Sequence, residues 1–259
     1  MSMRGEGPVP ERHARYRWAA EAVDDGRVLD AACGAGDGTA MLAESAVQAV
    51  GVDLSPAAIA EAKRRHGERA RFVEGDLRAL PFADGDFEYA VCFEALAHIA
   101  EPEGALDELR RVVRPGGTLL VSTPNPATYP PGHPLHLSST GPEELERLLR
   151  TRFANVAVHR QQTYLASLLV GQDLPARDDA PAEIAVHVTK LAGEGPGSEL
   201  YAVAAASDGE LPREPAWLAL GQEVGHGEQQ RMLGEWQDRA VRAEAEASAL
   251  RRKLRDRQS

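Results

Sequence analysis

The sequence predicts an α/β fold built on a doubly wound, mostly parallel sheet, and three observations carry that expectation. Val28-Leu-Asp-Ala-Ala-Cys-Gly-Ala-Gly-Asp-Gly-Thr39, followed by Val50-Gly-Val-Asp53, reads as strand, glycine turn, helix and second strand, half of a nucleoside-binding unit. Arg71-Phe-Val-Glu-Gly-Asp76 and Phe87-Glu-Tyr-Ala-Val-Cys-Phe93 are runs of strand length that lead into Asp76 and Glu94. Arg110-Arg-Val-Val-Arg-Pro-Gly-Gly-Thr-Leu-Leu-Val121 reads as a helix end, a Pro-Gly-Gly turn and a buried strand.

Taken in chain order, residues 1–10 hold Gly5, Gly7, Pro8 and Pro10 without periodicity and predict a mobile start, with a helix following from Glu11 to Asp25. In the glycine turn, Gly34 and Gly36 leave backbone uncovered, so a ligand can lie against it. Asp53 comes 23 residues after Asp30. At the end of the second strand its carboxylate can accept hydrogen bonds from two ribose hydroxyls. Asp76, a further 23 residues on, is placed to meet an adenine amino group. The dinucleotide pattern G-x-G-x-x-G is broken, because Thr39 occupies the place of its third glycine. Asp37, at the start of the next helix, would repel a pyrophosphate there. A cationic ligand with a ribose and no phosphate, such as S-adenosylmethionine (SAM), tolerates that acid.

Beyond the fifth strand, Pro142-Glu-Glu-Leu-Glu-Arg-Leu-Leu149 predicts a short amphipathic helix, and Val156-Ala-Val158 and Leu200-Tyr-Ala-Val-Ala-Ala205 an antiparallel last pair. Between them, residues 171–199 carry Pro175, Pro181 and Gly193 to Gly197 and predict a surface loop or lid. One domain is thus expected over residues 11–206, then a linker over 207–227 with Pro212, Pro215, Gly221, Gly225 and Gly227, then a helix over 228–259. In that helix Leu233, Trp236, Ala240, Ala243, Ala247, Leu250 and Leu254 recur every three or four residues and form a heptad seam. In a parallel homodimer Arg239 would meet Glu244, and Glu246 would meet Arg251. The alternative is a single helix folded back on its own domain.

Composition excludes some classes. A net charge of -11 argues against a nucleic-acid backbone as partner, since affinity for it comes from clustered Lys and Arg. No secretory leader and no 18-residue apolar run is visible, which predicts a cytoplasmic protein without a membrane span. The two cysteines, Cys33 and Cys92, fall on strand ends and read as buried thiols. Lysine occurs only at 63, 190 and 253 while arginine and alanine abound, a bacterial high-GC composition.

With D-x-x-C-G-x-G at Asp30 to Gly36, the acid Asp53, Gly75-Asp76, and R-P-G-G at Arg114 to Gly117, residues 11–206 resemble the class I SAM-dependent methyltransferases. The resemblance implies a seven-stranded Rossmann-like sheet with the last strand antiparallel. It also implies SAM contacts from Arg15, Tyr16, Asp30, Ala32, Gly34, Gly36, Asp53, Leu54, Asp76, Leu77, Phe93 and Glu94, with Arg15 and Tyr16 either candidates for the SAM carboxylate or helix-surface residues that cap the core. Ala32 stands where the family usually has glycine, a change that is tolerable if the position needs no positive φ.

Glu11, Arg15-Tyr16, Leu29 to Gly34, Phe93 to His98, Ser122-Thr-Pro-Asn125 and His136 ahead of Pro142-Glu-Glu-Leu145 further resemble methyltransferases of bacterial polysaccharide and glycoconjugate gene clusters. Ser138-Ser-Thr140 departs from that group. The reading this implies is O-methylation of a hydroxyl on a sugar or glycosylated small molecule, with His98 or His136 as general base, because imidazole titrates near neutrality; the alternative for His98 is a helix-facing histidine that only hydrogen-bonds a loop. Glu94-Ala-Leu-Ala-His98 also resembles the E-x-x-E-H segment of ubiquinone-pathway and small-RNA 2′-O-methyltransferases. Ala97 replaces its second acid, so a divalent metal on Glu94, His98 and His136 is not the expected arrangement. His133 reads as an exposed loop residue. The alternatives are C- or N-methylation of a quinone, lipid or amine, and a non-catalytic SAM-binding scaffold subunit of a glycan assembly complex.

Overall fold

The computed structural model describes residues 10–128, 140–162 and 200–215. Helix α1 (Pro10–Ala22) is followed by β1 (Arg27–Ala31), α2 (Asp37–Leu42), β2 (Gln48–Asp53), α3 (Pro56–His66), β3 (Arg71–Glu74) and β4 (Phe87–Phe93). After a 3₁₀ turn at Ala95–His98 come α4 (Pro102–Val112), β5 (Val113–Pro124), α5 (Pro142–Arg150), β6 (Asn155–Gln161) and β7 (Tyr201–Ser207). The strands form one sheet in the order β3-β2-β1-β4-β5-β7-β6. Only β7 runs against its neighbours, β5 and β6. The expected seven-stranded sheet with an antiparallel last strand is therefore the one that forms.

Alternation along the strands sorts the core onto two faces, as a period of two requires. Leu29, Val50, Ala90, Cys92, Leu119 and Val121 point to one face, where they meet Leu106, Leu109 and Val112 of α4 and Leu145, Leu148 and Leu149 of α5. Val28, Ala49, Val91, Phe93 and Leu120 point to the other and meet Tyr16, Trp18, Ala19 and Val23 of α1 and Leu42 of α2. Ile59 and Ala62 of α3 close over Phe72 and Cys33. Each fully buried leucine or valine contributes roughly 1.5–3 kcal/mol, so both helical layers are held by apolar burial. The chain leaves β1 toward β2 and β3, then returns to β4 on β1's other side. The carboxyl ends of β1 and β4 consequently flank the crevice in which folds of this topology bind ligands.

Several boundaries differ from expectation. The Pro-Gly-Gly segment is a bulge and no turn: β5 begins directly after α4, and its pairing with β4 jumps from Phe87↔Val113 to Tyr89↔Thr118. Pro115 cannot donate to the ladder and Gly116 takes φ 78°, so the register slips there. Helix α1 stops at Ala22, short of Asp25. The chain also stays docked past residue 206. Leu211 packs against the α1 layer, and the Trp18 indole donates to the Arg213 carbonyl at 2.9 Å.

The expected mobile start, the lid over 171–199, His133, His136, Ser138-Ser139, most of the linker and the whole heptad helix lie outside the described residues. Among the described residues no helix is long and apolar enough to cross a membrane.

Candidate functional site

The glycine turn after β1 is held from beneath by Asp30. Its side chain is fully buried, with Tyr16 donating to Oδ1 at 2.8 Å and Thr39 to Oδ2 at 2.6 Å. Burial pushes its carboxyl up to about 6, and the two hydroxyl donors oppose the rise. Both oxygens thus bond inward and tie α1, β1 and α2 together. Gly38 makes this arrangement possible, because a Cβ there would lie 2.0 Å from the Tyr16 ring.

Ala32 adopts φ 65°. The condition under which alanine is easily tolerated here is therefore not met, and the alanine carries the strain that glycine would escape. The two following glycines separate in role. Gly34, at φ 56°, has no atom within 4 Å of where a Cβ would stand, so its backbone is open to a ligand. Gly36, at φ 84°, would drive a Cβ to 2.8 Å from the Phe72 ring and 2.9 Å from Ala62. It serves packing against α3, contrary to the expectation that both glycines expose backbone.

Asp37 is paired away from the turn, with Arg65 at 2.7 Å and His66 at 2.9 Å. The repulsion it was expected to exert on a phosphate is correspondingly offset.

Asp53 stands at the carboxyl end of β2 with each oxygen oriented by one backbone amide. Gly34 N donates to Oδ2 and Ser55 N to Oδ1, both at 2.9 Å. A carboxylate oxygen accepts more than one donor, so each keeps capacity for a ligand hydroxyl. Ser55 in turn caps α3, its hydroxyl accepting from Ala58 N at 3.2 Å. Leu54 beside it is 66% exposed, an apolar face left open at the same edge. Gly75 N donates to the Asp53 carbonyl at 3.0 Å, which brings Asp76 and the half-buried Leu77 alongside. Asp76 is engaged by Arg78, whose Nη2 lies 2.6 Å from Oδ2 and whose backbone N lies 2.9 Å from Oδ1. These donors hold its carboxyl down at about 2.

At the end of β4, Glu94 takes φ 65° and donates its N–H to the Ser122 carbonyl at 3.1 Å. Its carboxylate pairs with Arg15 of α1. The Arg15 guanidinium also donates to Gln161 Oε1 at 2.7 Å and lies over the Tyr201 ring at 4.7 Å and the Phe93 ring at 5.8 Å. Burial lowers it to about 10, so it remains a cation at neutral pH. Arg15 and Tyr16 thus both have internal partners, Glu94 and Asp30.

His98 is exposed at the end of the 3₁₀ turn, while His136 lies outside the described residues. Among the described residues no three His, Cys, Asp or Glu side chains gather as a metal site. Cys33 and Cys92 are buried free thiols, and burial pushes Cys92 up to about 12. Sequence reasoning missed Arg78 and Gln161. Arg78 was visible two residues after an acid. Gln161 reaches Arg15 across 146 positions, and no local pattern announces that.

Residues 29–121 match a family described as a methyltransferase domain. A Mycolicibacterium smegmatis protein named as a probable S-adenosylmethionine-dependent methyltransferase is 36% identical over 129 residues, 48% of this chain and 50% of that protein. The demethylmenaquinone methyltransferase of Thermus thermophilus is 41% identical over 119 residues, 42% of this chain and 54% of that protein. That of Beutenbergia cavernae is 44% identical over 96 residues, 37% of this chain and 40% of that protein. The chain thus spans about half the length of the curated relatives it matches. Among solved structures, a SAM-dependent methyltransferase of Thermotoga maritima superposes with TM-score 0.54 at 19% identity, covering 76% of this chain and 91% of that one. A chain from the Haloferax volcanii complex of the Trm112 methyltransferase activator with a methyltransferase gives TM-score 0.56 at 19% identity, covering 77% and 92%. At such identity these two speak for the fold.

Proposed function

We propose that this protein, whose residues 29–121 match a methyltransferase-domain family, is a class I SAM-dependent methyltransferase that binds SAM across the carboxyl ends of β1, β2 and β3 and methylates a small-molecule acceptor. The observation that carries the reading is Asp53, a carboxylate oriented by Gly34 N and Ser55 N with acceptor capacity to spare. The residues present fit the cofactor: Gly34 offers uncovered backbone, Asp53 two ribose acceptors, and Leu54 an exposed apolar face for a purine. Bound there, SAM supplies an electrophilic methyl group carried on a sulfonium. The chain's own part is to position and to exclude water. Asp53→Ala should weaken SAM binding more than tenfold in calorimetry, since charge-assisted hydrogen bonds contribute about 1.5–3 kcal/mol. Equal affinity in the variant, or binding of NAD in place of SAM, overturns the reading.

For the acceptor, methylation of a ring carbon in a quinone-class compound is better supported than methylation of a sugar hydroxyl. Two of the relatives are named demethylmenaquinone methyltransferases. The reduced, electron-rich form of such a ring attacks a methyl electrophile from carbon and needs no base on a hydroxyl. The sugar reading needs a base, and the described candidate, His98, sits on an exposed turn. Labelled SAM given with a reduced naphthoquinone should place the label on ring carbon, and His98→Ala should keep its turnover. Label carried only by a sugar hydroxyl, with turnover lost in His98→Ala, restores the sugar reading.

The heptad seam over 228–259 supports a homodimer. The full chain should run as a dimer in light scattering, and a chain ending at residue 215 as a monomer.

A further inference from the structure

Asp76, the acid expected to receive an adenine amino group, already has a partner two residues away. The Arg78 fork closes on both oxygens, Nε at 3.0 Å from Oδ1 and 3.2 Å from Oδ2, and Nη2 at 2.6 Å from Oδ2. The turn is closed behind them, because Ala79 N donates to the Asp76 carbonyl at 3.0 Å. The guanidinium therefore folds onto the acid within one short loop and loses little freedom in doing so. It is also the exposed member of the pair, 63% accessible against 30% for Asp76. Arg78 also lines a groove together with Glu101 and Glu103.

We propose that Arg78 is a specificity-determining residue that competes with the 6-amino group of adenine for Asp76; this rests on the SAM reading above. A neutral amine is a single donor, whereas a guanidinium offers a charged fork matched to a carboxylate. An adenosyl ligand must displace part of that fork to reach the acid, so Arg78 lowers affinity for the methyl donor and for its demethylated product alike. A purine with oxygen at position 6 presents an acceptor there instead of a donor, and its nearest proton, on N1, is displaced by one ring atom from that position. Such a purine leaves the pair closed and accepts from the guanidinium's outward N–H groups. Arg78 thereby narrows the preference for amino over oxo purine.

Calorimetric titration of the full-length protein with S-adenosylhomocysteine and with S-inosylhomocysteine tests this. Arg78→Gln should bind S-adenosylhomocysteine about two- to fivefold more tightly, the range expected when an exposed ion pair stops competing. It should bind S-inosylhomocysteine no more tightly than wild type. Arg78→Lys, a point charge without the fork, should fall between. Unchanged or weaker S-adenosylhomocysteine binding in Arg78→Gln overturns the proposal, as does equal tightening of both ligands. Either result, with wild-type binding intact, leaves the SAM reading standing. Failure of the wild type to bind S-adenosylhomocysteine overturns that reading and this inference with it.

Discussion

Two arginine–carboxylate pairs close the two ends of the site, at β3 and at β4, and their surroundings make them different devices. Arg78 is 63% exposed beside Asp76 at 30%, while Arg15 is 2% exposed beside Glu94 at 32%. Water competes for every donor of the first cation, so its pair contributes only about 0.2–1 kcal/mol and can be exchanged for a ligand. The second cation is enclosed by Tyr201, Phe93 and Gln161 and has no water to fall back on. It works as a fixture that joins α1 to the end of β4. The same pair of functional groups is thus a latch at one end and a rivet at the other, and burial alone decides which.

The largest effect that sharpens this contrast is on stability. Arg15→Met should lower the unfolding free energy by about 2–4 kcal/mol in urea titration, below the loss for a wholly buried pair because Glu94 keeps some solvent. Arg78→Gln should change it by less than about 0.5 kcal/mol. Comparable losses in the two variants would break the distinction.

Asp30 extends the comparison to a buried acid with no arginine bonded to it. Its carboxyl rises to about 6 with only Tyr16 and Thr39 as donors. A raised acid binds its proton more tightly in the folded state. The stability it contributes is complete below the unfolded value of about 3.9, and is lost as pH rises through about 6. Relative to Asp30→Asn, the wild type should lose up to about 3 kcal/mol between pH 4 and 7, since each tenfold gain in proton affinity on folding is worth about 1.4 kcal/mol. A difference that stays flat across that range would show that the acid is solvated.

The smallest effect concerns the turn between the two ends. Ala32→Gly should raise stability by about 0.5–1 kcal/mol, because release from the left-handed region outweighs the entropy glycine adds to the unfolded chain. A loss of stability would mean that the methyl group of Ala32 contributes packing worth more than the strain.

These contrasts also mark what sequence could carry. The strands were legible because apolar runs such as Ala90–Phe93 and Leu119–Val121 are buried on both faces and need no partner to be recognised. Asp53 was legible because its place at the end of β2 follows from the strand itself. Directions were not. Arg15 and Tyr16 lie side by side on α1, and only the tertiary partners Glu94, Gln161 and Asp30 turn both inward. Gly34 and Gly36 look alike in the motif, yet Phe72 and Ala62, from elements formed later in the chain, reserve the second for packing. The bulge at Arg114–Gly117 was read as a turn because Pro and Gly signal broken pairing without saying whether the strand resumes on the same partner.

The bond from Trp18 to the Arg213 carbonyl has a mechanical meaning as well. Tension on the chain beyond residue 215 enters the domain at this point and is borne first by α1. One helical turn away on the same helix, Arg15 grips Glu94. A pull from that end is thus shared between β7, from which the segment continues, and the β4 edge of the site, reached through α1. In a single-molecule force experiment, detachment of α1 should precede rupture of the strands, and Trp18→Phe should lower the force of that first event alone.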